Sequence, residues 1–130
     1  MKVIWLSRHD MTRTQEARLR LLLPEKERDT AEIVYKMQVW QTTADEESDN
    51  DVNSKIWLSL AKEADVIVGV FPPAAIVGLL CARSFSDDGD DEFARFWTNP
   101  MVLTPISQIE SVLRGGSVQK QFSFLRWQHI

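Results

Sequence analysis

Cysteine is almost absent from this 130-residue sequence, in which Cys81 is the only one. A single cysteine excludes an intramolecular disulfide and a zinc site built on cysteines. Histidine is nearly as scarce, since only His9 and His129 are present. We therefore expect neither a histidine-rich metal cluster nor a resident cofactor.

Long uninterrupted hydrophobic runs are also missing. The opening MKVIWLSRHD has only four apolar residues before charge appears, and so we expect neither a signal peptide nor a membrane anchor. The longest apolar stretch, roughly Val66–Ala82, is interrupted by Pro72 and Pro73 and would make a poor membrane-spanning helix. These features predict a soluble cytoplasmic protein without a membrane partner.

Positive charge is not in excess, because 15 Lys and Arg stand against 19 Asp and Glu, for a net charge of -4. Proteins that bind long duplex nucleic acid need a field of cations to neutralise phosphates, and this balance argues against that class. A short nucleotide held by a few local contacts stays open. No GxGxxG or P-loop motif occurs, which disfavours the standard dinucleotide and nucleoside-triphosphate sites.

The composition and length predict one domain spanning 1–130. Hydrophobic residues make up 44% of the sequence, and a chain of this length can form a single core. Lys2–Leu6 reads as a buried strand. Thr12 can cap the following helix, with Gln15 completing a capping box, and Pro24 ends it. A second strand is predicted within Ala31–Trp40.

The second half of the chain continues this alternation of strands and helices. Further predicted elements are a central strand at Asp65–Phe71, a helix at Ala74–Arg83, short strands at Phe93–Trp97 and Met101–Leu103, a helix opened by Thr104-Pro105 and closed by Gly115-Gly116, and a closing strand at Val118–His129. This order predicts the α/β class, with a Rossmann-like, mainly parallel sheet flanked by helices. The direction of the closing strands stays open.

Two acidic stretches interrupt the pattern. Thr42–Asn53 contains five acids and no cation, and we predict a mobile, solvated linker there, after which Ser54 caps a helix. Ser84–Glu92 reads as a second acidic loop, because its D-D-G-D-D-E run lacks the alternating ligand spacing of an EF-hand.

The candidate site lies where two parallel strands end, because ligands of open parallel sheets bind beyond the carboxyl ends of the strands. The two loops at that edge are Ser7–Thr12 and Phe71–Ala74. The first loop holds two hydroxyls, a guanidinium, an imidazole and a carboxylate within six residues, in S-R-H-D-M-T. It also leads into a helix N-terminus, which favours an anion.

Structural explanations stand beside these functional ones. Ser7 and Thr12 also fit plain turn and cap roles, Arg8 can pair with Asp10, and His9 can be an ordinary core or surface histidine. Cys81 lies on an apolar helix and is better explained as a buried thiol than as a nucleophile.

Two features of the last third of the chain also have more than one explanation. Arg114-Gly115-Gly116 fits either an anion-binding nest or a helix end. Arg126 and Trp127 are adjacent and point to opposite faces of their strand, so one belongs to the core and the other is available for a surface or a ligand.

The loop after the first strand resembles the opening of small CRISPR-associated ring nucleases with a CARF-like fold. The positions that match are Ser7, His9, Met11 and Thr12. The later DVIVGVFPP resembles the central strand and loop of the same group. The resemblance covers about half of the chain and is weaker from Ser84 onward.

This resemblance implies a homodimer that binds a cyclic oligoadenylate, most often the four-membered ring, across its two-fold axis. It also implies metal-independent cleavage that switches off a type III CRISPR response. Arg8 and the helix N-terminus would hold the phosphate, and His9 would donate a proton or orient the 2′-hydroxyl. Ser7 and Thr12 would bond phosphate oxygens. The remaining ligand-contacting candidates are Phe71, Pro72, Pro73 and Arg126.

Two other functions stay open. One is a protein that binds the cyclic nucleotide without cutting it. The other is a small protein-interaction module, because five tryptophans are many for this length and aromatic anchors are common at interfaces, although they also fill cores. For a dimer, we expect the apolar Ala74–Arg83 helix or the Pro72-Pro73 loop to lie near the interface.

Overall fold

A five-stranded mixed sheet with helices on both faces forms the body of the protein. The computed structural model describes residues 1–43, 45–87 and 100–130. The elements in chain order are β1 (Lys2–Leu6), α1 (Arg13–Leu22), a 3-10 turn (Glu25–Glu27), β2 (Glu32–Lys36), α2 (Glu46–Glu63), β3 (Val66–Gly69), α3 (Pro73–Asp87), β4 (Met101–Arg114) and β5 (Ser117–His129).

The strand order across the sheet is β2-β1-β3-β4-β5. The pairs β1–β2, β1–β3 and β3–β4 are parallel, whereas β4–β5 is antiparallel. The connection from β1 leads outward to β2, while the later connections lead to the opposite side of β1. This reversal places a topological switch point between β1 and β3, as in doubly wound open sheets. The predicted α/β class and mainly parallel sheet are confirmed, and the closing strand is antiparallel.

The two faces of the sheet carry separate cores. On one face, the buried side chains Ile4, Ile67 and Val102 pack with Trp57 of α2 and Leu79 of α3. The helices α2 and α3 therefore cover this face. They approach closely, because a Cβ added at Gly78 would stand 2.6 Å from the Cβ of Asn53.

The opposite face is covered by α1. On this face, the buried strand residues Trp5, Val68 and Leu103 surround Leu19 of α1 and the ring of Trp127 from β5. Alternate residues of the buried strands thus serve alternate cores, which explains why β3 is buried at all four positions. No helix within the described residues is both long and apolar enough to cross a bilayer.

The prediction of a mobile linker at Thr42–Asn53 was wrong. Asp45 caps α2, and the helix begins at Glu46, so most of the acidic stretch is helical. Asp49 is buried and accepts hydrogen bonds from the Thr43 amide at 2.7 Å and the Thr43 hydroxyl at 2.6 Å. Acids at a helix N-terminus also interact favourably with its dipole.

Ser54 is likewise not the cap of this helix. It lies buried inside α2, where its hydroxyl donates to the carbonyl of Asp51 at 2.9 Å. The adjacent Asn53 is also buried, and its amide nitrogen donates to the carbonyls of Gln41 and Ala74. Both polar side chains have partners, which is what allows this polar segment to pack against α3.

The helix predicted between Thr104-Pro105 and Gly115-Gly116 was also wrong, because β4 runs without interruption from Met101 to Arg114. The Gly115-Gly116 pair turns the chain into β5, with φ of +58° and +82°. Two consecutive positive φ angles are the geometry of a tight hairpin turn, which glycine adopts without steric cost. This correction leaves one long β4–β5 hairpin at the end of the chain.

Several smaller predictions also have outcomes. The capping box at Thr12 and the buried first strand are confirmed. The second strand is shorter than expected and ends at Lys36. Ser84 begins no loop, since α3 continues to Asp87, while the rest of the second acidic stretch and the predicted strand at Phe93–Trp97 lie outside the described residues.

Candidate functional site

The two candidate loops leave the sheet side by side. Leu6, the last residue of β1, pairs with Gly69, the last residue of β3. The contact is close, because a Cβ added at Gly69 would stand 2.9 Å from the carbonyl oxygen of Leu6. The loop Ser7–Thr12 and the segment after Gly69 therefore share the carboxyl edge of the sheet, at the topological switch point.

The backbone of the first loop is anchored at both ends. The Trp5 indole nitrogen donates to the carbonyl oxygen of His9 at 2.6 Å, and the His9 amide donates to the Ser7 hydroxyl at 3.2 Å. At the other end, the Thr12 hydroxyl accepts from the Gln15 amide at 3.1 Å, and the Gln15 side chain accepts from the Thr12 amide at 2.9 Å. Buried Met11 lies between these anchors.

The polar side chains of this loop point outward from its anchored backbone. Arg8, His9 and Asp10 are all exposed. No ion pair joins Arg8 to Asp10, and neither Arg8 nor His9 uses its side chain in a hydrogen bond within the described residues. The guanidinium and the imidazole are thus accessible to a ligand, on a backbone whose position is fixed.

Ser7 and Thr12 both have structural roles here, as the alternative explanation held. Their oxygens accept bonds from the backbone, but each hydroxyl retains a hydrogen that it can donate to a ligand oxygen. At the start of α1, the Gln15 amide is bonded to the Thr12 hydroxyl and the Glu16 amide to the Thr12 carbonyl, which leaves the amides of Arg13 and Thr14 for a ligand within the described residues. Positive helix ends of this kind bind phosphate.

One further residue at this edge escaped the sequence analysis. Arg13 is the first residue of α1, directly after the cap, and its side chain is exposed. A cation in the first turn of a helix is unfavourable for the helix dipole, so it needs another explanation. That unfavourable placement was the available signal. Along the chain, Arg8 precedes His9 and Arg13 follows it by four residues, so the start of α1 carries a second exposed guanidinium.

The second loop divides into a buried part and an exposed part. Phe71 is buried, with its ring centroid 5.1 Å from that of Trp57 and 6.3 Å from that of Trp40. Its ring therefore belongs to the core beneath the edge. Pro72 and Pro73 are exposed, and Pro73 begins α3, a position that suits proline because the first helical amide needs no partner.

Arg126 lies at the same edge, farther along the sheet. It pairs with Ile106, three residues beyond Leu103, which itself pairs with Val68 of β3. Arg126 is exposed, while Trp127 is buried and donates its indole hydrogen to the carbonyl of Gln15 at 2.9 Å. The prediction that one of the two neighbours is core and the other available is confirmed. The structure does not bring Arg126 into contact with the first loop.

A cleft beside the start of α2 is a poor anion site. Its volume is about 720 Å³, and its lining residues are Asp45, Glu46, Glu47, Ser48, Asn50, Asp51 and Cys81. Carboxylates of this density repel phosphate. Cys81 is half-buried at its wall. Within the described residues, no group of three or more histidine, cysteine or acidic side chains could hold a metal ion.

Arg83, which lies on α3, has a structural role. Partial burial lowers the pKa of the Arg83 guanidinium, which donates to the main-chain oxygen of Ile130 at 2.6 Å. Arginine stays protonated at neutral pH even so. The bond ties the end of β5 to α3.

Comparison with known proteins adds no relative to these observations. No protein-family model, no curated protein and no solved structure matches the chain.

Proposed function

We propose that this chain is a ring nuclease, which binds cyclic oligoadenylate at the Ser7–Thr12 loop and cleaves it without a metal. The observation that carries the proposal is the placement of exposed Arg8 and His9 on an anchored loop at the switch point of the sheet. The resemblance of Ser7, His9, Met11 and Thr12 to the ring nuclease loop supplies the choice of ligand, with cyclic tetra-adenylate first.

Phosphate binding is the better supported half of the proposal. A phosphodiester placed over the start of α1 meets backbone amides, the hydroxyl of Thr12 and the guanidinium of Arg8. Charge-assisted hydrogen bonds of this kind contribute about 1.5–3 kcal/mol each. The overall charge of -4 does not oppose this, because the cations that matter are local.

Cleavage needs little more than alignment and a proton donor. The ribose 2′-oxygen attacks the adjacent phosphorus as its proton passes to water, and the bond from phosphorus to the 5′-oxygen breaks as that oxygen takes up a proton. The products are a 2′,3′-cyclic phosphate and a 5′-hydroxyl, so atoms and charge balance. His9 is the proton donor or the residue that orients the 2′-hydroxyl. Alignment of nucleophile and leaving group supplies a large share of such a rate enhancement.

The same resemblance supplies the biological setting. The sheet is then a CARF-like domain that acts as a cytoplasmic homodimer and switches off a type III CRISPR response. A ring with two-fold symmetry suits two identical subunits, because each presents the same loop to one half of the ring.

The decisive experiment is incubation of the purified protein with cyclic tetra-adenylate, with and without EDTA, followed by separation of the products. Cleavage that persists in EDTA supports the ring nuclease. Binding without cleavage, measured by calorimetry, replaces it with a sequestering protein. If the ring is neither bound nor cut, the proposal is wrong and the protein-interaction module takes its place.

A further inference from the structure

The β4–β5 hairpin extends well beyond the rest of the sheet. Pairing between β3 and β4 ends at Leu103, whereas β4 continues to pair with β5 as far as Arg114 and Ser117. A register shift between Ile106 and Ser107 marks the point where the hairpin leaves the body. We call residues 107–124 the arm.

The two faces of the arm differ sharply in polarity. On one face, Ile109 pairs with Phe122 and Leu113 pairs with Val118. These four side chains are 57%, 72%, 73% and 71% exposed, in that order. Residues on the opposite face include the pairs Gln108–Ser123, Glu110–Gln121, Val112–Gln119 and Arg114–Ser117. Alternation along both strands thus produces one apolar and one largely polar face.

The apolar face is continuous with the core under α1. Phe124, next along the same face, packs against Trp127 with ring centroids 5.3 Å apart, and Arg18 of α1 lies over its ring at 5.8 Å. Arg18 also donates to the carbonyl of Leu125. The cover by α1 ends there, and the four apolar side chains beyond it stay open to solvent.

The exposed apolar area of this face is large enough that we expect a partner to cover it. Four side chains, each more than half exposed, present on the order of 400 Å² of apolar area, which is as large as the largest patch of a typical monomer. A two-stranded ribbon without packing on either face is also marginally stable in water. Burial of the apolar face would therefore stabilise the arm and the interface together.

We propose that a second copy of this chain covers the apolar face, with the two arms stacked face to face and pointing in opposite directions. The face is self-complementary in that orientation. Its central row is Ser111 and Lys120, with one apolar row on each side. Turning one arm end for end lays the Ile109–Phe122 row of one copy on the Leu113–Val118 row of the other.

A steric feature favours the opposed direction. Stacking in the same direction would force the two α1 helices together, because α1 covers the base of the same face. In the opposed arrangement, the Gly115-Gly116 tip, which has no side chains, meets the base of the partner arm. The opposed arrangement stacks the two central rows and brings the two Lys120 residues near each other. Because Lys120 lies on the outer strand of the sheet, each ammonium group can extend to water while its stem is covered.

The expected affinity follows from the area. Two such faces, with the stems of the central row, would bury roughly 1,000 Å² in total, which is at the low end for a specific interface. A reversible dimer with a dissociation constant on the order of micromolar is therefore expected.

This interface is not the one through which two subunits of the proposed ring nuclease would share a ring, so the two proposals concern different surfaces of the chain. The Ser111 row is seven residues beyond Thr104 on β4, so two opposed copies would hold their Ser7–Thr12 loops on the order of 50 Å apart. If a variant that has lost the arm interface still binds the nucleotide, the proposed function stands. If the arm interface forms in a chain that does not bind the nucleotide, the interface proposal stands.

The first test is sedimentation velocity of the full chain from about 1 to 200 µM, a range that brackets the expected dissociation constant. We expect the wild type to shift from monomer to dimer. Phe122→Asp should raise the dissociation constant at least about tenfold, whereas Gln121→Asp, with the same added charge on the opposite face, should change it less than about threefold. A wild type that is monomeric throughout, or equal effects of the two variants, would overturn the proposal. A monomer that binds phosphatidylglycerol vesicles through Phe122 would assign the face to a lipid surface instead.

The second test reports geometry and does not depend on a disruptive variant. In a Cys81→Ser background, Ser111→Cys places one thiol at the centre of the apolar face, and Gln119→Cys places one on the opposite face. Stacked sheets lie about 10 Å apart, so a bismaleimide of that span should join two copies through residue 111. Efficient coupling at 111 and little at 119 supports the opposed dimer. Equal coupling at both positions, or none at 111, contradicts it.

Discussion

The indole nitrogen of Trp5 reaches along the chain to the carbonyl oxygen of His9, at a distance of 2.6 Å. Trp5 itself is buried in the α1-side core, with its ring edge-on to Trp127 at 5.8 Å. One side chain thus joins the packed interior to the exposed loop that carries Arg8 and His9. The position of the candidate site therefore depends on the packing beneath it.

Replacing Trp5 by phenylalanine should release the loop. We expect Trp5→Phe to lower the free energy of unfolding by about 1–3 kcal/mol, because it removes a hydrogen bond and leaves a space in the core. Amide hydrogen exchange at residues 8–10 should accelerate beyond what global destabilisation explains. Trp40→Phe is the control, since it makes the same change of side chain at a half-buried position that packs against the other core. Unchanged exchange at residues 8–10 would show that the bond does not hold the loop.

The buried carboxylate at the start of α2 should be structurally important. Asp49→Ala removes the acceptor of two bonds from Thr43 and should cost about 2–4 kcal/mol, measured by urea denaturation. Asp51→Ala, two residues on, removes only an exposed pairing with Lys55 and should cost less than about 1 kcal/mol. Equal effects of the two variants would mean that this turn of α2 is not packed as described.

Helix α3 should tolerate no side chain at its closest contact with α2. Gly78→Ala would place a Cβ 2.6 Å from the Cβ of Asn53. The gain in helix propensity of about 1 kcal/mol is smaller than the cost of forcing the helices apart, so we expect a net loss of about 1–3 kcal/mol. Val77→Ala, at an exposed neighbouring position, should change thermal stability little. A Gly78→Ala protein as stable as the wild type would contradict the close packing of the two helices.

If the proposed function is correct, substitutions of Arg8 and His9 should affect different steps: the first should weaken binding and the second should slow cleavage. Arg8→Ala should weaken binding of cyclic tetra-adenylate by about 10- to 100-fold, because a charge-assisted contact is lost in every state of the reaction. His9→Ala should bind nearly as well as the wild type while its single-turnover rate falls by roughly 10²–10⁴-fold. Lys62→Ala, an exposed cation on α2, should affect neither quantity.

The melting temperatures of the Arg8→Ala and His9→Ala variants should be measured alongside binding and cleavage. Both loop side chains are exposed, so neither alanine variant should lower the melting temperature by more than a few degrees. If His9→Ala proves fully active and well folded, His9 has no part in the mechanism. Alignment of the 2′-hydroxyl by Ser7, Thr12 and backbone amides would then account for cleavage.

Local sequence determined the elements whose signals are local. The strand at Lys2–Leu6 is a short apolar run, and the start of α1 is a capping box whose two bonds span three residues. The closing strand at the end of the chain and the location of the candidate loop, at the end of β1, were likewise predictable. Alternation of strands and helices was enough to indicate a mainly parallel sheet.

Tertiary contacts decided the rest. The acidic start of α2 is helical because Asp49 and Asn53 find partners in Thr43, Gln41 and Ala74, which no local pattern reveals. Spacing of apolar residues along 106–113 suits a helix as well as a strand, and only the twelve-residue pairing of β4 with β5 makes it a strand. The same pairing gathers four apolar side chains on one face of the arm. That face exists only in the folded chain, because alternation between two strands, not proximity in sequence, brings its residues together.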